Sequence, residues 1–368
     1  MRTIYYKIVL ILTLIPSISQ GNTLEGLVNE HTMEKSLYKE FTVDKDALLF
    51  IDNAYGNVDI TTWNENRIVM NIKISVTGND KEKMQEKIKN ISVIFNASTT
   101  RVSAKTIFDN KQSSWWSKFT DSWSSTSSIN MKINYSIKVP ISNNLDLSND
   151  YGSITLDKTK GNAKINCDYG QIILGELHGN DNSIHIDYTK NSSIKYMNQG
   201  TINADYSAFE VGLAGKVDLY ADYTQSNFDS IQYLKYSCDY GELKISNAHS
   251  ITGTGDYLNM QLGTVNKKIA INADYGSLRV NELTKSVKMV DIQSDYVGIT
   301  IGYNQNLSFD FHIKTSYGGI NIDDDEINIM KKNSTNSNKI YEGYHRQKNS
   351  GNSIRINSSY GGVKFIKK

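Results

Sequence analysis

Apolar and polar residues alternate with a period of two along most of this chain, on both sides of a recurring Asp-Tyr pair. Around Tyr275, the apolar residues are Ile271, four positions before the tyrosine, and Leu278 and Val280, three and five positions after it. Such alternation on both sides of a turn predicts a repeat of strand, corner and strand. The tyrosines of the main series lie 17 to 21 residues apart, at Tyr151, Tyr169, Tyr188, Tyr206, Tyr223, Tyr240, Tyr257, Tyr275, Tyr296 and Tyr317.

Repeats of this length, without helices between them, fit a parallel β-solenoid (β-helix-like), in which each repeat buries its apolar face against its neighbours. The alternative is an antiparallel meander with a hairpin at each tyrosine. The same residue types recur at the same position of each repeat, which favours the solenoid. Proline is nearly absent, as expected where every strand needs its backbone N–H. The sequence therefore predicts an all-β fold with 17–21-residue solenoid repeats over residues 141–322.

The other segments are assigned around these repeats. Residues 20–140 form a β-rich N-terminal cap region with a Trp-rich loop and one short helix near 79–91. Asn79 is the expected N-cap of that helix, and Glu82 completes a capping box. Residues 323–353 form a polar insertion that we expect to be exposed and partly disordered, and residues 354–368 form the final repeat strand.

The first 19 residues have the pattern of a secretory signal peptide. Arg2 and Lys7 precede an apolar run over residues 8–15, Pro16 ends the run, and 17–19 supplies small residues for cleavage. The run is too short to span a bilayer as a helix. We therefore expect an exported protein without a transmembrane helix, in the periplasm or on the outer cell surface.

The charge balance and the cysteine count exclude several classes of protein. Lys and Arg number 40, Asp and Glu number 39, and the net charge is +1 over 368 residues, which excludes a globally basic nucleic-acid binder. Two cysteines are too few for a disulfide framework. Cys167 and Cys238 are four repeats apart, about 19 Å at one strand spacing per repeat, so we expect two buried free thiols.

Each repeat carries one aspartate and one tyrosine at its corner. We expect the aspartate side chains to accept backbone N–H groups at their own corners, with calcium binding between repeats as the alternative. Tyr275 has the same parity as Ile271 and Ala273, so the tyrosines are expected to stack inside the core unless a bulge intervenes. Turned outward, they would form an aromatic strip suited to sugars or to another protein.

Three tryptophans stand in a serine-rich segment, at Trp115, Trp116 and Trp123. Large aromatic residues in a polar segment form either a lid on the end of the solenoid or an exposed contact patch. As a patch, these three are the candidate binding residues, for a glycan, a membrane surface or a partner protein.

Catalytic and metal-binding spacings are missing from the sequence. The six histidines show no H-x-x-x-H spacing, and no G-x-S-x-G, P-loop or kinase motif occurs. The acidic run from Asp323 to Glu326 is expected to be solvated. We therefore expect no catalytic residues, no metal and no cofactor.

Three passages resemble a family of secreted bacterial β-strand-repeat proteins of unknown molecular function, often labelled adhesins. They are the segment 53–60 with Trp63 after it, the helix near 80–90 with the Trp-rich loop and the strand before Pro140, and the chain of Asp-Tyr-Gly-like turns. The resemblance covers nearly all of the chain beyond the signal peptide. It implies an envelope protein of Gram-negative bacteria, with no established catalytic residues.

These observations favour a non-enzymatic, exported cell-envelope protein. Its solenoid rod would offer an adhesive or structural binding surface to a glycan or to an envelope or host protein. One alternative is a periplasmic partner in envelope-stress signalling. Another is a β-helix enzyme acting on polysaccharides, which needs two or three carboxylates that converge in a groove.

Overall fold

A computed structural model describes residues 30–109 and 129–368. The chain divides into two compact units, the first ending at Leu174 and the second beginning at Gly175. Over the described ranges the secondary structure is β-strand apart from one short helix, so the expectation of an all-β fold is confirmed. No helix in those ranges is long and apolar enough to cross a membrane. The predicted signal peptide, residues 1–19, lies outside the described residues.

The first unit contains most of the predicted cap region and the first repeats. Its helix is α1 (Lys81–Asn90), and its strands are β1 (His31–Thr42), β2 (Leu48–Ala54), β3 (Val58–Trp63), β4 (Arg67–Gly78), β5 (Ile91–Ala97), β6 (Arg101–Phe108), β7 (Asn130–Pro140), β8 (Asn144–Asp150), β9 (Ser153–Thr159) and β10 (Ala163–Asp168). Strand β11 (Gln171–Leu177) crosses the division between the units.

The second unit contains the remaining repeats. Its strands are β12 (Asn182–Asp187), β13 (Ser192–Asp205), β14 (Ala208–Asp222), β15 (Gln225–Asp239), β16 (Gly241–Asp256), β17 (Leu258–Leu283), β18 (Met289–Tyr303), β19 (Phe309–Ser316), β20 (Ile320–Ile322), β21 (Ile327–Ser334), β22 (Asn338–His345), β23 (Ser353–Ser359) and β24 (Val363–Lys367).

Two kinds of strand pairing meet in the first unit. Strand β4 pairs antiparallel with both β1 and β7, whereas β2, β8 and β10 form a parallel ladder in which Ile51, Leu147 and Ile165 are aligned and fully buried. Helix α1 lies against β1 and β4, and its Met84 is buried. Its N-cap is Asp80, whose side chain accepts the N–H of Lys83 at 3.1 Å, so the expectation of Asn79 at that position was wrong by one residue.

Parallel pairing dominates the second unit. From β12 to β18, each strand pairs in parallel with the next, and one apolar or small residue per strand is aligned across the ladder. The aligned residues are Ile184, Ile202, Leu219, Tyr236, Gly253, Ile271 and Ile292. Because most of these side chains are buried, the ladder encloses a continuous apolar core along its length.

The end of the second unit departs from sequence order. Strand β23, from the last repeat of the chain, pairs in parallel with β18 on one side and β19 on the other. The other edge of β19 pairs antiparallel with β22, which in turn pairs antiparallel with β21. Most of the predicted polar insertion is therefore a hairpin that covers the edge of β19, and the expectation of partial disorder there was wrong.

Each repeat turns its corner at a tyrosine with a left-handed backbone. The φ angle lies between 50° and 61° at every ladder tyrosine, from Tyr55 to Tyr360. This conformation is uncommon for a residue with a side chain. It reverses the inside–outside alternation, so Ile271 is buried while Tyr275, of the same parity, is 44% exposed. The expectation that the tyrosines stack inside the core was wrong for this reason.

The residue after the tyrosine is a glycine, a hydroxyl-bearing residue or, at Leu258 and Val297, a buried apolar residue. Where it is glycine, the backbone approaches the preceding repeat closely: a Cβ on Gly276 would lie 2.2 Å from the carbonyl oxygen of Leu258. Where it is Ser207 or Thr224, the side chain is buried, and its hydroxyl donates to the carbonyl oxygens of Ile186 and Ala204 respectively. The glycine and hydroxyl corners therefore differ in packing, although the φ angle of the tyrosine is the same in both.

Both cysteines are free and buried, as predicted. Burial raises the pKa of the Cys167 thiol and of the Cys238 thiol to about 12 each. Both thiols therefore stay protonated at neutral pH and pack as small apolar groups.

Substitution of two glycines tests the close approach at the corners. We expect Gly276→Ala to destabilise the fold by about 1–3 kcal/mol, because the added methyl group collides with a backbone oxygen that cannot move alone. Gly298→Ala is the matched control, since no atom lies within 4 Å of its added Cβ, and it should change stability by less than about 0.5 kcal/mol. Urea unfolding followed by circular dichroism measures both, and equal effects would contradict the assigned packing.

Candidate functional site

The most extended surface feature of the second unit is a strip of stacked tyrosine rings. Successive ring centroids lie 4.6–5.0 Å apart, with interplanar angles of 1–8°. Each ring is 44–65% exposed, and at one strand spacing per ring the strip is about 40 Å long. We call this the tyrosine strip, and its members in spatial order are Tyr188, Tyr206, Tyr223, Tyr240, Tyr257, Tyr275, Tyr296, Tyr360 and Tyr317.

Stacking determines which parts of the rings a ligand can reach. The ring faces are largely covered by neighbouring rings, so the strip offers ring edges and hydroxyl groups to solvent. Partial burial, together with the neighbouring phenols and aspartates, raises the pKa of Tyr206 and of Tyr240. These hydroxyls therefore remain protonated at neutral pH and can donate as well as accept hydrogen bonds.

The first unit has a shorter stack of the same kind. Tyr55, Tyr151 and Tyr169 stack with centroid distances of 5.1 Å, and Phe108 meets Tyr55 edge to face at 6.1 Å. The aromatic corner is thus a property of the repeat itself, because it occurs in both units.

A groove lies beside the tyrosine strip at one end of the second unit. Two residues after Tyr296, Tyr317 and Tyr360, the chain has glycine, whereas earlier repeats have Gln225, Glu242, Asn259 and Ser277 at that position. The three bare glycines, Gly298, Gly319 and Gly362, line a shallow groove of about 440 Å³.

The groove combines an apolar floor with polar groups at its sides. Ile299 and Val363 are buried beneath it, while Thr300, Asn321 and Lys364 also line it. The backbone is therefore accessible along three adjacent strands, beside the hydroxyl, amide and ammonium groups of these side chains, which suits a hydroxyl-bearing ligand.

Three of the ladder aspartates, Asp205, Asp222 and Asp239, accept backbone N–H groups from the adjacent repeat. The N–H of Asp239 donates to Oδ1 of Asp222 at 3.2 Å, and the N–H of Asp256 donates to Oδ1 of Asp239 at 2.9 Å. The carboxylates thus accept backbone N–H groups as expected, but from the next repeat rather than from their own corner. Desolvation, and then repulsion between neighbouring carboxylates, raises the pKa of Asp256.

The candidate residues from the sequence are only partly described. Trp115, Trp116 and Trp123 lie outside the described residues, so their assignment as contact residues stays a prediction. Asp324 was expected to be solvated with the rest of its acidic run, but its side chain is only 3% exposed. It lies near the buried His345, a contact that no sequence spacing indicated.

Replacement of ladder aspartates by asparagine tests whether the charges of their carboxylates lower the stability of the fold. The pKa values of Asp222 and Asp256 are raised in the folded protein, so folding favours their protonated forms. Their charged forms cost stability at neutral pH, and that cost disappears as the pH falls through the raised pKa values. We expect the Asp222→Asn/Asp256→Asn double variant to melt above the wild type at pH 7, and the difference to vanish near pH 3.

Asparagine keeps the Oδ1 acceptor, so the comparison isolates the charge. Asp229→Asn, at an exposed position outside the ladder, is the control and should leave the melting temperature unchanged at both pH values. A double variant that melts below the wild type at pH 7 would show that the ladder carboxylates stabilise the fold as anions.

The solved structures that match cover most of this chain, but their sequence identities and TM-scores are low. A putative cell adhesion protein from Clostridium sporogenes is 12% identical, with 92% of this chain and 100% of that chain covered and a TM-score of 0.19. A putative adhesin from Parabacteroides distasonis is 8% identical, with 90% and 97% covered and a TM-score of 0.29. A putative lipid binding protein from Parabacteroides distasonis is 9% identical, with 93% and 98% covered and a TM-score of 0.26.

No family model matches this chain, and no curated protein matches it. At the identities and TM-scores of the solved structures, what those proteins bind carries no weight for this one. Function has to be argued from the surface of the chain itself.

Proposed function

We propose that this chain is a non-enzymatic, exported protein of the bacterial cell envelope that binds a glycan along the tyrosine strip of a parallel β-solenoid. The observation that carries the proposal is the strip itself, a regular row of half-exposed phenol rings about 40 Å long at one strand spacing per ring. Regular spacing of identical groups suits a ligand that is itself a repeating polymer.

The strand connections support the solenoid. Strands β14 and β15 have 15 residues each, pair in parallel, and are separated only by Tyr223 and Thr224. A straight strand of that length would be about 50 Å long, whereas two linking residues reach about 7 Å. The chain must therefore return to its starting side between these two strands, which supports one coil per repeat.

The chemistry of the surface favours a glycan among the candidate partners. Sugars carry many hydroxyl groups, which can pair with the exposed hydroxyl groups of the phenol rings and with amide and ammonium groups. The groove supplies an amide and an ammonium group, from Asn321 and Lys364, and Tyr317, two residues before Gly319, is the most exposed ring of the strip. An envelope or host protein is the other candidate partner.

Export follows from the signal peptide predicted over residues 1–19. A surface of phenol rings that binds glycans would act on the outer face of the cell, in the envelope of a Gram-negative bacterium. We therefore propose an adhesive role for the tyrosine strip.

Filling the groove tests the proposed binding surface. We expect Gly298→Asn/Gly362→Asn to weaken glycan binding at least about tenfold, because two new side chains would occupy the accessible backbone. Other repeats carry polar side chains at this position, and a Cβ meets no close atom at Gly298 or Gly362, so the variant should fold. Ala208→Asn adds the same side chain at the same position of a distant repeat, and serves as the control in a glycan-array measurement.

The tryptophan prediction is tested in the same assay. If the triple change of Trp115, Trp116 and Trp123 to Ala removes binding while the groove variant still binds, the contact lies on the Trp-rich loop. The groove beside the tyrosine strip is then not the binding site. Equal binding by the groove variant, the control and the wild type to every glycan would also overturn the proposal.

Protease treatment of intact cells tests the location. We expect external protease to cleave the protein on intact cells, as followed by antibody, because an adhesive strip must be accessible from outside. A periplasmic marker that stays intact until lysis is the control. Protection of this chain until lysis would rule out adhesion and favour the periplasmic signalling alternative.

A further inference from the structure

A buried histidine lies at the end of the hairpin that covers strand β19. His345 is 0% exposed, and its Nδ1 lies 2.5 Å from the carbonyl oxygen of Leu307. A carbonyl oxygen can only accept, so Nδ1 carries a proton. In the neutral ring, Nε2 therefore has a free lone pair.

The second ring nitrogen faces two carboxylates without a hydrogen-bond partner. Nε2 of His345 is buried and has no such partner among the described residues. Its near neighbours are Oε2 of Glu326 at 3.4 Å and Oδ2 of Asp324 at 3.7 Å. A lone pair that faces two anions is repelled by them, and a metal ion placed between the three groups would relieve this repulsion.

The surroundings hold these groups in place. The rings of Tyr303 and Phe309 pack against the imidazole, with centroid distances of 5.1 and 5.3 Å. The hydroxyl of Tyr303 donates to Oδ2 of Asp324 at 2.5 Å. An imidazole that donates one N–H to a backbone carbonyl, beside a carboxylate that is itself hydrogen-bonded, is the outer arrangement typical of protein metal ligands.

We propose that His345, Asp324 and Glu326 bind one divalent transition-metal ion of the zinc class. With metal–ligand bonds of about 2.1 Å, two ligand atoms of a tetrahedral site lie about 3.4 Å apart, which agrees with the measured 3.4 and 3.7 Å. One imidazole nitrogen and two carboxylate oxygens suit zinc, cobalt or manganese, whereas calcium prefers six to eight oxygens.

A lysine competes for the same carboxylates. Nζ of Lys367 lies 3.1 Å from Oδ1 of Asp324 and 3.3 Å from Oε2 of Glu326. Its side chain is 36% exposed, so it can turn into solvent when a metal ion arrives. Nη1 of Arg346 lies farther away, 3.9 Å from Oε2 of Glu326.

The site would join both ends of the hairpin. Asp324 and Glu326 precede β21, and His345 ends β22. A bound ion would therefore tie the base of the hairpin together while β22 is paired with β19 and would stabilise this end of the second unit. This role is independent of glycan binding.

Zinc titration of the untagged, chelator-stripped full chain tests the proposal. We expect one Zn²⁺ per chain, measured by competition with a chromophoric chelator, and a higher melting temperature with zinc. Glu326→Gln should weaken zinc binding at least about 100-fold. Asp325→Asn, an exposed neighbour in the same loop, should leave binding unchanged. Lys367→Gln should tighten binding about tenfold, because it removes the competing ammonium group.

His345→Gln could fail to fold because the ring is buried, so the exposed Glu326 carries the test. If the wild type binds no zinc more tightly than about 10 µM, or if Glu326→Gln and Asp325→Asn bind equally, the proposal is overturned. In that case the ammonium group of Lys367 is the cation that the two carboxylates share.

Discussion

The left-handed backbone at each corner tyrosine is the constraint on which the rest of the structure depends. Apolar residues stand four positions before most of the tyrosines and three after them, so strict alternation would place them on opposite faces. The positive φ angle at residues such as Tyr275 reverses the alternation once per repeat. Both arms of the repeat then face the same core, and the tyrosine itself is turned outward.

A left-handed conformation in a residue with a side chain costs about 1–3 kcal/mol, and it recurs at every corner. Two interactions of similar size offset it. Each ring stacks on its neighbours, which is worth about 0.5–1.5 kcal/mol per pair, and the backbone N–H of a residue such as Tyr206 donates to the carbonyl oxygen of Asp222 in the next strand at 3.0 Å. Both require aligned neighbours, so the corner is stable only within a ladder, and the exposed strip is a consequence of how the core is built.

The sequence predicted the features that depend on local periodicity and failed where distant pairing decides. The strands and the buried cysteines follow from residue type and spacing. The outward position of Tyr275 can also be inferred from the sequence, because the apolar positions change parity across the corner. The parity of Ile271 and Ala273 alone suggests the opposite, an inward position. In contrast, the insertion of β23 between β18 and β19 leaves no trace in the regular spacing of the tyrosines, and neither does the approach of His345 to Asp324.

A ladder of parallel strands has to end without offering its open edge to another chain. In the second unit, the polar insertion covers the open edge with antiparallel strands. Strand β22 takes the free edge of β19, and the outer strand β21 is almost entirely exposed and carries Lys331 and Lys332, charges that oppose the addition of a further strand. The polar composition that suggested disorder is therefore what an edge strand needs. An ion bound at the base of this hairpin would act on the element that terminates the ladder, and would leave the tyrosine strip unchanged.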